Sequence, residues 1–376
     1  MRGLGDAGLT VSGVLAHYRV TAVTALVYRC RLSGGRFGVA ELAMIIRTKA
    51  FARAGLVGNP SDGYFGKTIS FIVRNFAAEV VLYESPEVEI LPNTRDQSTF
   101  SSLAALAEDV RKFGYYGGIR LLKATIKTFH DYCQEHGILL DNRNFTIRYQ
   151  TNIPSQVGMA GSSAIITACL RALLAFYGVT IPRFIQPNLI LSVETQHLGI
   201  PAGLQDRVIQ VHEGLVYMDF NRAFMERQGY GRYEEMDPKL LPFLYLAYRT
   251  DLAEGTEVFH NDIRGRFNRG EPAVVEAMKF WAELTDQVKE CLLRKDGSRI
   301  PALLNQNFDK RREIYNISEG NLRMVEIARS TGASAKFTGS GGAIVGTYPD
   351  ERAFELLKVG LGAIGVEVIK PIILPE

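Results

Sequence analysis

Apolar and polar residues recur along this chain with two different periods. Phe145, Ile147 and Tyr149 alternate with Thr146, Arg148 and Gln150, the period of two that a half-buried strand imposes. Ile69–Arg74 and Ala78–Tyr83 are rich in Val, Ile and Phe and predict two further strands. Residues 100–112 and 119–136 repeat at helical spacing instead, with Ile119, Leu122, Ile126 and Phe129 on one stripe. Ser162–Tyr177 is apolar nearly all round, as a buried helix is, and Gly178 follows it as a C-cap. Leu189–His197 reads as another helix. Val208–His212 and Leu215–Phe220 read as a hairpin across Glu213 and Gly214. The stretch 221–240 is polar, carries Gly229, Gly231 and Pro238, and places a domain boundary. Beyond it, helices are predicted at about 252–267, 271–295, 301–315 and 319–331, and 343–374 reads strand, helix, strand. The expectation is an α+β chain of two lobes, residues 45–228 and 229–376.

Composition narrows what such a chain can do. Its 376 residues are 47% hydrophobic and 22% charged, enough for a sizeable core. The net charge is +3 with the signs interspersed, so the clustered basic excess of a nucleic-acid binder is missing. Residues 1–44 differ from the rest. Arg2, Arg19, Arg29, Arg31 and Arg36 stand against Asp6 and Glu41, with no Lys. The apolar runs there, 7–18 and 20–28, fall short of the roughly 18–20 residues of a spanning helix, so no membrane partner is expected. This leader reads as disordered or targeting and is set outside the fold. Cys30, Cys133, Cys169 and Cys291 fit neither a disulfide framework nor a zinc site, so a reducing compartment such as the cytoplasm is expected. The six His show no ligand spacing.

The 36 glycines exceed the usual share of about 7%. Many informative ones fall in three loops: Ala52–Tyr64, Pro154–Ala164 and Lys336–Gly342. In the second, Gly158 and Gly161 permit positive φ and a close ligand approach, and Ser162 and Ser163 sit where a helix begins. A helix N-terminus attracts phosphate, and a serine hydroxyl there reaches a magnesium ion; a tight turn with a serine N-cap would explain the loop equally well. Common nucleotide motifs fail. Gly66-Lys67-Thr68 ends like a phosphate loop, yet Ser61 stands where its first Gly belongs, and Ile344 replaces the last Gly of a dinucleotide fingerprint. Between the second and third loops, Glu194 and Asp206 are two carboxylates able to divide labour, one on a metal and one on a substrate hydroxyl. An exposed Glu and an Asp paired with Arg207 is the plainer alternative.

Three such loops in this order, with the acidic pair between the second and third, resemble the GHMP kinase superfamily of galactose, homoserine, mevalonate and phosphomevalonate kinases. The resemblance spans about residues 45–376. Gly-Asn-Pro-Ser-Asp at 58–62, Tyr-Phe-Gly at 64–66, Gly-Tyr-Tyr-Gly-Gly at 114–118, Gly-Leu-Gln-Asp-Arg at 203–207 and Ala-Lys-Phe-Thr-Gly-Ser-Gly-Gly at 335–342 look like its glucuronokinase branch. The resemblance implies an N-terminal domain like ribosomal protein S5, a ferredoxin-like C-terminal domain, and an active site between them. It implies ATP and Mg²⁺, a small-molecule substrate, D-glucuronate, and phosphorylation at the anomeric carbon. Asp206 matches the catalytic aspartate and Arg53 an active-site arginine near the transferring phosphate. Pro154, Gln156, Gly158, Met159, Ala160, Gly161, Ser162, Ser163 and Ala164 match the ATP loop, and Ser163 and Glu194 the magnesium ligands. Asn59, Asp62, Tyr64, Gly203, Gly339, Ser340 and Gly341 fall on the substrate side. Asn59 stands where galactokinases carry a Glu that contacts the C6 oxygen. A Glu facing a C6 carboxylate at about 4 Å would cost on the order of 4 kcal/mol, and an amide removes that repulsion, so Asn59 is expected to select the uronate. Lys67, Arg74 and Arg120 are candidates to face that carboxylate, and a solvated surface charge is the better reading of each. Galacturonate, another monosaccharide and a catalytically silent sugar sensor are the competing readings.

Overall fold

A computed structural model describes residues 22–26, 29–31, 37–39, 43–93, 96, 101–103, 117–249 and 263–375 of the chain. Most of the predicted helix at 100–112, all but 101–103, and most of Gly-Tyr-Tyr-Gly-Gly at 114–118 lie outside these residues, as does the first part of the predicted helix at 252–267, of which 263–268 are helical.

Two sheets, antiparallel but for one short parallel edge strand, organise the chain. The larger has the order β1-β4-β5-β7-β6, with β8 joined to β5 and β9 to β8. Its strands are β1 (Ala22–Leu26), β4 (Ala43–Val57), β5 (Lys67–Ser85), β6 (Glu89–Ile90), β7 (Asn144–Thr151), β8 (Leu215–Asp219) and β9 (Arg232–Met236). β2 (Arg29–Arg31) and β3 (Phe37–Val39) pair with each other, and β6 joins β7 in parallel. The helices of this lobe are α1 (Gly118–Glu135), α2 (Gly161–Tyr177), α3 (Gln186–Ser192), α4 (Gln205–His212) and α5 (Arg222–Gln228). α2 lies against β4 and β5 and is buried almost throughout, as its all-apolar sequence requires, and Gly178 ends it at φ 65°. The smaller sheet, of order β11-β12-β10-β13, consists of β10 (Leu244–Tyr248), β11 (Lys336–Phe337), β12 (Ala343–Thr347) and β13 (Glu367–Ile369). The accompanying helices are α6 (Pro272–Leu293), α7 (Ile300–Ile314), α8 (Glu319–Ser330) and α9 (Glu351–Gly362).

Several expectations change. The two strands at 69–74 and 78–83 are one strand, β5, whose pairing to β4 shifts register at Phe51/Ala52, so that Arg74, Asn75 and Phe76 form a bulge between paired stretches. The predicted strand at 208–212 is the end of helix α4. Leu204 and Val208 lie one turn apart and pack with Ile72, Val216 and Phe220, and eight residues are too few for the sequence to separate the two periods. β9 pairs with β8 in the larger sheet, so that sheet continues through Met236, past the expected boundary at 228. β10 was not expected; its Leu-Tyr-Leu-Ala-Tyr sits between β12 and β13 and, buried on both faces, shows no alternation. Nor is the leader wholly apart, because Ala22–Leu26 pairs antiparallel with Ala43–Arg47. No helix among the described residues is long and apolar enough to cross a membrane.

Candidate active site

Strand β4 carries Arg53 into the interior, where it is 5% exposed. Its Nε donates to Asp206 Oδ1 at 2.6 Å. Its Nη1 donates to the carbonyls of Gly158, at 2.5 Å, and Thr338, at 3.2 Å. One guanidinium therefore gathers the first, second and third glycine loops and one of the two carboxylates. The backbone reinforces the meeting: Arg53 N donates to Met159 O at 3.3 Å and Gly55 N to Thr338 O at 2.9 Å. Glycine is required where the second and third loops touch, since a Cβ on Gly339 would lie 2.5 Å from Gly158 O and 3.0 Å from both terminal nitrogens of Arg53.

The second loop ends at the start of α2. Its N-cap is Ala160, at φ 63°, with no capping side chain. Ser163 Oγ instead donates back to Ala160 O at 3.2 Å. The serine-cap alternative is thus not realised, and the first amides of a 17-residue helix remain for an anion. Pro154 and Gln156 lie on the outer turn, with Gln156 exposed, while the side chains of Met159 and Ala164 are buried in the core and leave only their backbone to the loop.

Asp206 opens helix α4 and has both Arg53 and, at 3.4 Å, Arg207 Nη1 beside it. Asp62 stands in the short turn Ser61–Tyr64, and its Oδ2 accepts from Gln205 N at 3.4 Å. Burial, and then the charge of Asp206, push the Asp62 carboxyl from 3.8 up to about 6. A Cβ on Gly203 would lie 2.3 Å from Asp62 Oδ2. With the sugar and ATP that the sequence resemblance implies as substrates, Gly203→Ala is expected to displace Asp62 and raise the KM for the former roughly tenfold, with that for ATP little changed; overpacking of this kind costs about 1–3 kcal/mol. Steady-state kinetics in both substrates check it.

Glu194, 3% exposed, is ion-paired with Arg207 rather than exposed. Arg207 also donates to Gly203 O at 2.8 Å, and burial together with the Arg53 charge lowers its pKa to about 9. Arg207 engages Glu194 through Oε2 alone among the bonds present. Mg²⁺ ordinarily takes one or two carboxylates and keeps waters and substrate phosphates as its other ligands, so hard oxygens from Ser163 and Glu194 fit it. No cluster of three acidic, His or Cys side chains suited to a metal occurs among the described residues.

Asn59 is placed differently from the expectation. It is 5% exposed, its Oδ1 accepts from Lys336 Nζ at 2.6 Å, and its Nδ2 points to Phe337 O at 3.5 Å. The amide is thus engaged within the protein, and the reading of Asn59 as the direct selector of a C6 carboxylate is corrected: it anchors the turn that bears Asp62. Lys336 is itself buried and donates to Gly55 O and Phe337 O as well, so all three of its protons are used. Lys67 and Arg74 pair with Asp286 and Glu213, each at 2.6 Å, and Arg120 is exposed on α1. Two further residues belong to the site. Arg311 of α7 donates to Gly339 O at 2.8 Å and Ser340 O at 3.2 Å, fixing the third loop. Arg207 joins the carboxylates. The sequence signal for Arg207 was its place beside Asp206, and Arg311 stands in a charge run that reads as a solvated face.

Residues 120–214, which carry the second loop and both Glu194 and Asp206, match the model of the GHMP kinases N terminal domain. The chain is 46% identical over 313 residues to probable glucuronokinase 2 of Arabidopsis thaliana, covering 81% of this chain and 85% of that one. It is 44% identical over 319 residues to glucuronokinase 1 of the same organism, covering 83% and 88%. Its fold superimposes on Methanococcus jannaschii mevalonate kinase with a TM-score of 0.66 at 19% identity, over 89% of this chain and 99% of that one.

Proposed function

The chain belongs to the GHMP kinase family, and we propose that within it this protein is a glucuronokinase, transferring the γ-phosphate of ATP to the anomeric hydroxyl of D-glucuronate. The product, 1-phospho-α-D-glucuronate, is the sugar phosphate that UDP-glucuronate synthesis consumes. The observation that supports this reading best is Arg53, which ties a carboxylate to the carbonyls of two glycine loops at one point.

Phosphoryl transfer asks a protein for positioning, neutralisation of charge and a place for one proton. The 154–164 loop lies around the phosphates, with the α2 amides directed at them. Ser163 and Glu194 would hold Mg²⁺, and the ion would supply charge neutralisation to the phosphates. Asp206 orients the anomeric hydroxyl and takes its proton. Arg53 balances the charge of Asp206 and faces the incoming phosphoryl group. Asp62 holds a ring hydroxyl, with Gly203 leaving it room.

The experiment is Mg-ATP-dependent ADP release by the full chain against glucuronate, galacturonate, galactose, glucose and arabinose. Release with glucuronate foremost is expected; release with none of them, while sugar binding persists, would move the protein to the silent sensors. A pH profile adds a second check. Asp62 accepts from a sugar hydroxyl more strongly when ionised, so kcat/KM for the sugar is expected to rise with pH through about 6, and that limb is expected to vanish in Asp62→Asn. The folded pKa lies above the unfolded one, so the same group favours the fold most below pH 3.8 and loses that contribution as pH climbs past about 6.

A further inference from the structure

Beside Asp62 the interior holds two hydroxyls that bond to none of the described residues. Tyr64 closes the Ser61–Tyr64 turn at 5% exposure, and Tyr315 follows α7 at 6%. Neither phenolic oxygen has a hydrogen-bond partner among the described residues. They share one neighbourhood. Asp62 and Arg311 act electrostatically on both phenols, and Tyr64 acts on Tyr315. The Arg311 guanidinium lies 4.9 Å from the centre of the Tyr315 ring and that of Arg264 5.5 Å from the Tyr64 ring. Arg264 also borders the sugar turn, since a Cβ on Gly63 would lie 3.4 Å from its Nη2. It is exposed.

Unpaired buried hydroxyls are destabilising, and native proteins seldom retain two together unless something else supplies the acceptor. The missing partner is an acceptor carrying negative charge: the phenols offer two O–H donors and the guanidiniums two positive charges, and an ionised carboxylate accepts only. A sugar with its anomeric hydroxyl at Asp206 and a ring hydroxyl at Asp62 leaves its C6 group to be placed. We propose that the hydroxyls of Tyr64 and Tyr315, flanked by Arg264 and Arg311, receive the C6 carboxylate of the uronic acid. The inference rests on the uronate reading above and assigns the charge recognition that Asn59 does not provide.

Calorimetric titration of the full chain with D-glucuronate and with D-glucuronamide, its neutral C6 amide, tests it. The unsubstituted protein is expected to bind the acid at least about tenfold more tightly, as hydrogen bonds to a charged group usually require. Arg264→Gln, Tyr64→Phe and Tyr315→Phe should each shrink that ratio. Tyr315→Phe should leave the melting temperature unchanged or higher, because the hydroxyl it removes has no partner; Arg264→Gln, being at the surface, keeps the test open should a Tyr variant fail to fold. Equal binding of acid and amide by the unsubstituted protein, or a ratio that survives all three substitutions, overturns the subsite. ADP release with glucuronate is read separately. Release without an acid preference keeps the kinase and removes the subsite, whereas acid preference without release keeps the subsite and removes the kinase.

Discussion

Replacing Asp206 with Asn is expected to lower kcat by about 10²–10⁴, the range that a positioned proton acceptor contributes. Asn is nearly isosteric and keeps an oxygen for the Arg53 Nε, which now lies 2.6 Å from Oδ1. The three-loop assembly around Arg53 should therefore persist, and the melting temperature should stay close to that of the unsubstituted protein. What disappears is the negative charge and the ability to accept the hydroxyl proton. A fall confined to kcat identifies a group acting in the transition state; a change confined to sugar KM would mark a binding group instead. Near-normal turnover would sink the assignment of Asp206 as base. Rapid-quench measurement of a single turnover distinguishes a slowed transfer step from slowed product release.

Glu194→Leu is expected to abolish turnover and also to destabilise the protein by about 3–5 kcal/mol, the penalty for stranding one member of a buried ion pair. Solvent hardly screens this pair: the side chains of Arg207 and Glu194 are 5% and 4% exposed. Among the described residues Arg207 has only Gly203 O and the edge of Asp206 as its other polar contacts, and its Nε has no partner there. The companion variant separates the two effects. Glu194→Leu with Arg207→Met removes both charges and should recover most of the lost stability in urea unfolding, while turnover stays absent because the proposed metal ligand is still missing. Recovery of activity along with stability would show that Glu194 serves the fold alone.

What the sequence disclosed follows from how far each contact reaches. Helical stripes and the glycine loops are local patterns, so α1, α2 and the helices after 271 emerge near their observed ends. The strand expected at 208–212 is helical because so short a run with Val208, Ile209 and Val211 satisfies a strand as readily as a helix, and only packing on Ile72 and Phe220 decides. The loops were visible, but their convergence was not. Arg53 reaches carbonyls 105 and 285 positions away, and the acceptors it uses on Gly158 and Thr338 are backbone oxygens, which every residue carries and no side chain advertises. Asn59 failed as a reader of charge for the same reason. Its partner, Lys336, stands 277 residues later, and no periodicity links them.

That last pairing bears on how substrate preference can be moved between proteins. The turn presenting Asp62 is contiguous, 58–64, and looks like a cassette. Its footing is not contiguous: Lys336 holds Asn59 from the far end of the chain, and Asn307 of α7 receives Gly58 N at 2.7 Å and reaches Asn59 O at 3.2 Å. A graft of residues 58–64 onto another kinase of this architecture would carry the recognition loop away from the supports that shape it. The portable unit is the turn together with Asn307 and Lys336, a module scattered in sequence and compact in space.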